Sequence, residues 1–439
     1  MIARHWITRR EAMVRRNVSD LRAGMVLAED VLTPGGRFLM PKGTTLDHGH
    51  VKSLLAWNLP EVGVVAGEEG AASPAAVPDV ETVAHAAAAT VAERLRLLDP
   101  DHPLTPVLHR LALDQEVRRR KAAGDDDAAR TAEDAAHPVE DAPPPLASPE
   151  ALLRDEPKLA SPPEVYLRIS EVLRNPASTV DDAAASIRHD PNLAAKLLRL
   201  VNSSFYARTM RAVRGRFPAK VDSLSRAVMV VGGRQLATLA LGVSVLPLFQ
   251  DIPPHWVNMQ VFWEHSVGCA VAAQTLAGAL GRENAEAAFV AGLLHDIGRI
   301  VLFKQASAHM AAAMRQAAAA RVPLFETERA LLGFDHAALG GQLFQKWQFP
   351  ANLEKMVRYH HDMDEPLFIE EPAIVHVADG LATAMGWGAS GNRHVAPLVP
   401  AAWDALGLTA AGVAALVPAM EARLAETMHS FFPDRAGPP

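Results

Sequence analysis

The stretch AAFVAGLLHDIGRIVLF, residues 287–303, decides how the rest of this chain is read. Its length and apolar flanks predict a buried helix, with His295 and Asp296 adjacent near its centre and Gly298 and Arg299 just behind. An ionised carboxylate in such surroundings is costly unless something pairs with it. A divalent metal or a fixed hydrogen-bonded partner is the natural compensation. A His-Asp dipeptide alone is weak evidence, so its meaning depends on the residues on either side.

The chain has 439 residues, nearly half of them hydrophobic, which predicts about two to four domains with a sizeable core. A net charge of −7 argues against a general nucleic-acid binder. Cys269 is the only cysteine, so an intrachain disulfide and a cysteine-rich zinc site are both excluded, and a reducing cytoplasm is expected. The first residues, MIARHWITRREAMVRR, carry basic groups with no apolar run behind them and do not read as a secretory signal. The strongest membrane candidate, residues 236–249, is too short to span a bilayer. No membrane span and a cytoplasmic location follow as expectations.

In chain order, residues 1–16 read as a tail and residues 17–66 as a small β-rich module. Within the module, residues 25–32 are strand-like, Pro34-Gly35-Gly36 signals a turn, and residues 37–40 return antiparallel. Thr45 or Asp47 caps a short helix through Trp57, and residues 62–65 offer a closing strand. Residues 67–145 read as a linker holding two helices, over 81–98 and 103–121, either a connecting hairpin that favours a homodimer or a solvated spacer. The linker ends in the acidic, proline-terminated stretch GDDDAARTAEDAAHPVEDAPPP, which has too little apolar surface to offset the entropy of ordering it. Dense helical patterning over 146–385 implies an all-α domain, and residues 386–439 read as a helical extension whose stripe Met420, Leu424 and Met428 packs back on it.

Several ordered strings in this second region carry a resemblance. Residues 159–165 read LASPPEV; residues 190–203 read DPNLAAKLLRLVNS; and Ser225-Arg226-Ala227-Val228 leads on to Gly232-Gly233. Together they resemble the signature of the HDOD family, bacterial signalling domains related to the HD phosphohydrolases. The likeness runs from about Leu159 to about Ala384. The fold class expected is therefore mainly α: an HD-like helical domain preceded by a small β-rich module and a helical, partly disordered linker. The module's LRAGMVLAEDV and GRFLMPKGTTL in turn resemble the accessory domain found ahead of HDOD and HD-GYP domains, which implies a docking or regulatory role. The Asn202-Ser203 pair, a hallmark of the family, reads physically as a helix terminus whose side chains satisfy free backbone groups.

Further donors follow in order: His265, then His295-Asp296, then His336, the tandem His360-His361 and Asp379. The resemblance to HD hydrolases implies that His265, His295, Asp296 and Asp379 hold a divalent metal. Its HD-GYP branch implies that His336, His360 and His361 complete a larger cluster of one or two ions. Mixed imidazole and carboxylate donors suit iron, manganese or zinc and leave positions open for water, which a metal can activate against a phosphodiester. The same groups can instead form a buried polar network that fixes helix packing. Adjacent helical residues point about 100° apart, so both tandem histidines reach one cluster only by serving different metals or by sitting at a helix end.

Two departures weigh against hydrolysis. After His361 the chain runs Asp362-Met363-Asp364-Glu365-Pro366 with no Gly-Tyr-Pro loop, and Arg299 stands where HD-GYP domains carry lysine, which alters the donor geometry near a phosphate. Arg299, Lys196 and Arg199 are the candidate phosphate or partner contacts. Lys196 and Arg199 open a basic run that continues through Arg208, Arg211, Arg214, Arg216 and Lys220. The preferred reading is a non-catalytic signal-transduction protein that acts through contacts with other signalling proteins. The alternative is a metal-dependent phosphohydrolase acting on cyclic di-GMP or another nucleotide second messenger.

Overall fold

The computed structural model divides into two units, Met1–Asp79 and Val80–Pro439. In the first it describes residues 13–65 apart from 23–24, 33–37, 47–49, 52–53, 55–58 and 60. In the second it describes residues 80–123, 148–154, 164–175, 177–203, 221–249, 257–282, 284–363 and 369–432. The acidic stretch from 124, the linker over 67–79 and the basic run over 204–220 lie outside these residues, as does most of the short helix expected to end at Trp57.

The first unit holds β1 (Met13–Asn17), β2 (Val31–Leu32), β3 (Phe38–Met40) and β4 (Glu61–Val65). β2 and β3 pair antiparallel, Val31 opposite Met40, as the turn signal between them requires. β4 pairs antiparallel with β1, Met13 opposite Val65 through to Asn17 opposite Glu61. Residues 13–16, read as part of a tail, thus belong to a strand. All five β1 side chains are exposed, so MVRRN shows no apolar alternation to betray it. Val18, Leu21, Leu27, Val31, Leu46, Leu54, Val62 and Val64 form this unit's own small core.

The second unit is helical. α1 (Val80–Arg94), α2 (Thr105–Ala123) and α3 (Pro149–Arg154) lead in. They are followed by α4 (Glu164–Arg174), α5 (Val180–Arg188), α6 (Pro191–Val201), α7 (Leu224–Val231) and α8 (Gly233–Ser244). Thr179 and Asp182 form a capping box that starts α5, and Asp190 caps α6 through Leu193 N. Asn202 ends α6 with its side chain: Nδ2 donates to Leu198 O at 2.7 Å and Val221 O at 2.8 Å, and Val221 N donates back to Oδ1 at 2.7 Å. That amide ties the end of α6 to the start of the next described segment, the structural role expected of it.

The later helices are α9 (Met259–Ala279), α10 (Ala285–Leu294), α11 (Ile297–Gln305), α12 (Ser307–Ala320), α13 (Leu324–Leu332) and α14 (His336–Lys346). Then come α15 (Ala351–Arg358), α16 (Glu370–Met385), α17 (Pro400–Leu406) and α18 (Ala410–Phe431). α9 is the hub, packed against α10, α16 and α18. Among the described residues no single helix is long and apolar enough to cross a membrane.

Two expectations change. The stretch 287–303 is not one helix: it breaks at His295–Asp296 into α10 and α11. The two helices placed in a linker over 67–145 also belong to the helical unit, because Val91, Leu95, Leu98, Leu104, Leu108 and Ala112 are buried in its core. Arg94 donates to Ala384 O and pairs with the buried Glu116 of α2, which also takes Arg119 and Arg120. The charged surface of α2 masks its apolar stripe in the sequence.

Glycines set the closest helix approaches. A Cβ at Gly298 would overlap the backbone carbonyl of His336, so α11 and α14 cross in backbone contact. A Cβ at Gly292 would lie 2.8 Å from the Cα of Ala270, so α10 meets α9 in the same way. Gly298→Ala is therefore expected to destabilise the helical unit by about 1–3 kcal/mol or more, read as a lower midpoint in thermal or urea unfolding followed by circular dichroism.

Candidate metal centre

The break between α10 and α11 lets the neighbouring side chains of His295 and Asp296 face one place, which a continuous helix would forbid. His265 comes from the middle of α9, His336 is the first residue of α14, and Asp379 comes from α16. His360 and His361 follow the end of α15, the helix-end placement that lets both tandem rings turn inward. All seven residues are at most 9% exposed.

They converge. His265 Nε2 lies 3.2 Å from Asp379 Oδ1 and 3.7 Å from Asp296 Oδ2, and His295 Nε2 lies 3.2 Å from Asp296 Oδ2. The other oxygen of Asp296 faces His336 Nε2 at 3.0 Å. The His336 and His360 rings are 5.4 Å apart, the His360 and His361 rings 4.0 Å, and His361 stacks on Phe325 at 4.3 Å. Donor atoms of His265, His295 and Asp296 lie within 4.8 Å of one another, and so do those of His336, His360 and His361. Asp296 offers one oxygen to each group.

The rings are also oriented from behind. The Nδ1 atoms of His295 and His360 sit 2.8 Å and 2.7 Å from the carbonyls of Gly292 and Val357, which can only accept. Nδ1 of His336 sits 2.6 Å from Glu328 Oε2. In the neutral ring Nδ1 therefore carries the proton and Nε2 presents its lone pair inward, as metal-binding histidines require. The Nε2 atoms of His265, His295, His336, His360 and His361 and Oδ1 of Asp296 are buried without a hydrogen-bond partner. Such convergent, unsatisfied donor atoms fit a divalent cation.

Charge points the same way. Among the described residues, Asp296, Asp379 and Glu328 are buried around one permanent cation, Arg299. Burial raises the pKa of Asp296, but Arg299 and His295 more than offset it and hold the carboxyl well below its usual range. Burial likewise raises Glu328, yet His336 and Arg299 bring it down to about 2. Burial lowers His295, but the Asp296 carboxylate outweighs it and the ring is held well above the ordinary histidine value. His360 and His361 are driven well below that value by burial and by neighbouring imidazoles, so they are neutral and ready to ligate. With no ion, protonated imidazoles must balance the carboxylates; a divalent cation does so directly.

Arg299, read as a phosphate contact, has another role. Its side chain is wholly buried: Nη1 reaches Asp296 Oδ2 at 3.1 Å and Ser390 Oγ at 2.8 Å, Nε reaches Glu328 Oε1 at 3.2 Å, and Nη2 reaches Asn392 Oδ1 at 3.2 Å. A guanidinium so engaged holds carboxylates in place and is enclosed away from a phosphate. Lys196 and Arg199 lie on α6, which packs against α5, α7, α8 and α18, and neither enters the contacts of the histidine cluster. His376 orders the cluster indirectly, its Nδ1 facing His360 O at 2.9 Å and its Nε2 accepting from Val399 N at 3.1 Å. Glu328, Ser390 and Asn392 have no place in the ligand order read from sequence. The one available signal is Glu328 standing eight residues before His336 in FETERALLGFDH.

This arrangement, a His-Asp pair at a helix break with histidines and a late aspartate closing on it, defines a buried candidate metal centre in a helical domain. Residues 159–363 match the HDOD domain family model, so this stretch of the chain is an HDOD domain. An HDOD domain protein of unknown function from Geobacter sulfurreducens is 25% identical with a TM-score of 0.51, covering 64% of this chain and 98% of that one. A candidate phosphohydrolase from Shewanella amazonensis SB2B, 24% identical with a TM-score of 0.50 over the same shares, shares the fold. An uncharacterised protein of Treponema pallidum (strain Nichols) is 28% identical over 218 residues, 49% of this chain. The match spans 40% of that relative's length.

An imidazole must lose its proton to take an ion, and His295 is held above its ordinary value. Ion affinity is therefore expected to rise with pH through neutrality and to fall as acid protonates that ring, measured by competition with a chromophoric chelator. In the same assay Glu328→Gln, which weakens the support behind His336, is expected to lower affinity about 10–100-fold.

Proposed function

We propose that this protein is a regulatory signal-transduction protein whose HDOD domain holds one or two divalent ions without turning over a substrate. The observation that supports this reading is enclosure. All seven donors are buried, and the guanidinium in the cluster is committed to two carboxylates, a serine and an asparagine. Phosphoryl chemistry needs a position open to substrate and preorganised positive charge facing the phosphate.

His265, His295, Asp296 and Asp379 would hold one ion, and His336, His360 and His361 a second, with Asp296 shared. A bound iron, manganese or zinc ion supplies Lewis acidity and, here, the charge that balances buried carboxylates. The chain's own groups do the rest. Glu328 and the Gly292 and Val357 carbonyls orient the rings, and the apolar helices exclude water. Output passes through contacts with other signalling proteins or a second copy of the chain, with the amino-terminal β module as the docking or regulatory element. A cytoplasmic location goes with this role.

The second reading, a metal-dependent phosphohydrolase of cyclic di-GMP or another nucleotide, is favoured by the mixed imidazole and carboxylate donor set. Elemental analysis of the purified protein, paired with assays on cyclic di-GMP and bis(p-nitrophenyl) phosphate, separates the two. The expected result is bound metal that His295→Ala and Asp296→Ala remove, with no turnover. Turnover that disappears with those two substitutions would establish the hydrolase instead.

A further inference from the structure

Residues 386–399 join α16 to α17 without regular structure, yet they are built into the core, and we refer to them as the strap. One side lies on the donor helices. Ala389 N donates to Val261 O at 3.1 Å, one turn before His265. Gly388 has φ +65°, and a Cβ there would overlap Val261 O and His265 N, so the strap runs in backbone contact with α9. Ser390 and Asn392 take Nη1 and Nη2 of Arg299, whose Nη1 also reaches Asp296. The other side lies on α1. Val395 N donates to Arg94 O at 2.8 Å, His394 Nε2 meets Glu93 Oε1 at 3.2 Å, and Arg94 reaches back to Ala384 O at 3.2 Å. α1 begins at Val80, immediately after the amino-terminal unit ends at Asp79.

Arg299 is thus shared between Asp296, the carboxylate offered to both donor groups, and the strap that grips the first helix of the unit. A cation on Asp296 takes up the charge that otherwise draws Arg299 Nη1, and it repels the guanidinium. Arg299 is then left to Glu328, Ser390 and Asn392, which tightens the strap. Loosening the strap has the reverse effect: Arg299 turns fully to Asp296 and competes with the ion. We propose that ion loading at Asp296 and seating of α1 on the strap are positively coupled through Arg299. A pull on α1 then lowers ion affinity, and ion loading holds α1 in place. Linkage requires the two effects to be equal in size. This inference rests on the ion site proposed above and adds its regulation.

The test uses the full chain, stripped with chelator and then loaded with Mn2+, compared by amide hydrogen exchange. Loading is expected to slow exchange about fivefold or more in residues 386–399 and 80–94, beyond the donor helices. Protection confined to the helices that carry His265, His295, His336 and Asp379 would overturn the coupling. Asn392→Ala, which removes a strap partner of Arg299, and His394→Ala, which removes the strap's contact with Glu93 of α1, are each expected to weaken Mn2+ binding about fivefold or more and to abolish the protection of residues 80–94. Unchanged affinity in folded variants would overturn it too. The exchange comparison on the unsubstituted chain decides the matter even where a variant fails to fold. A chain that takes up no ion removes the ion site and this coupling together, whereas ion uptake with unmoved exchange at 80–94 and 386–399 removes the coupling alone.

Discussion

The helical unit is organised around a charge that the surrounding residues will not tolerate uncompensated. Asp296 lies in a segment where nearly every neighbour is apolar and fully buried, and two further carboxylates, Asp379 and Glu328, are buried near it. An interior of that kind penalises each unpaired charge heavily. Among the described residues Arg299 is the single permanent cation in contact with these carboxylates, so imidazoles must take protons or an ion must enter. The helix break, the ring orientations and the commitment of Arg299 all answer that one electrostatic demand.

The backbone supplies the spacing. Gly292 and Gly298 bring α10 and α11 against α9 and α14 so closely that donors from separate helices meet within a few ångströms. Cluster dimensions are therefore set by helix crossings, and side chains only fill the space those crossings leave. Supporting bonds to the Gly292 and Val357 carbonyls come from the same turns that carry the ligands. A ring held from behind by its own helix loses little freedom when it binds, which favours affinity.

Much of the donor set is legible in the sequence because His and Asp in apolar helical runs are rare enough to notice, and their order matches a known pattern. The partners of that set are far less legible. Glu328 sits in a helix with other charged residues, where a glutamate ordinarily faces solvent, and only the fold turns it inward toward His336. Ser390 and Asn392 occupy a loop whose composition reads as a connection, with nothing local to show that it caps a buried guanidinium. Arg299 was readable as charged and near the His-Asp pair, but whether it faces a ligand or a carboxylate depends on helices far off in the chain. The break at His295–Asp296 is likewise invisible to periodicity, since a continuous apolar run looks the same whether or not one turn is interrupted.

The burial of α1 and α2 also bears on where the chain can be divided. The compositional shift near residue 146 looks like the natural place to cut, yet a fragment starting there would strip Val91, Leu95, Leu104 and Leu108 from the interior and leave greasy furrows on α16. Such a truncation would clump in solution for reasons unrelated to any biological association. A start at Val80 keeps the two leading helices with the body they cover, and it is the boundary from which a soluble, crystallisable piece of this unit should be sought.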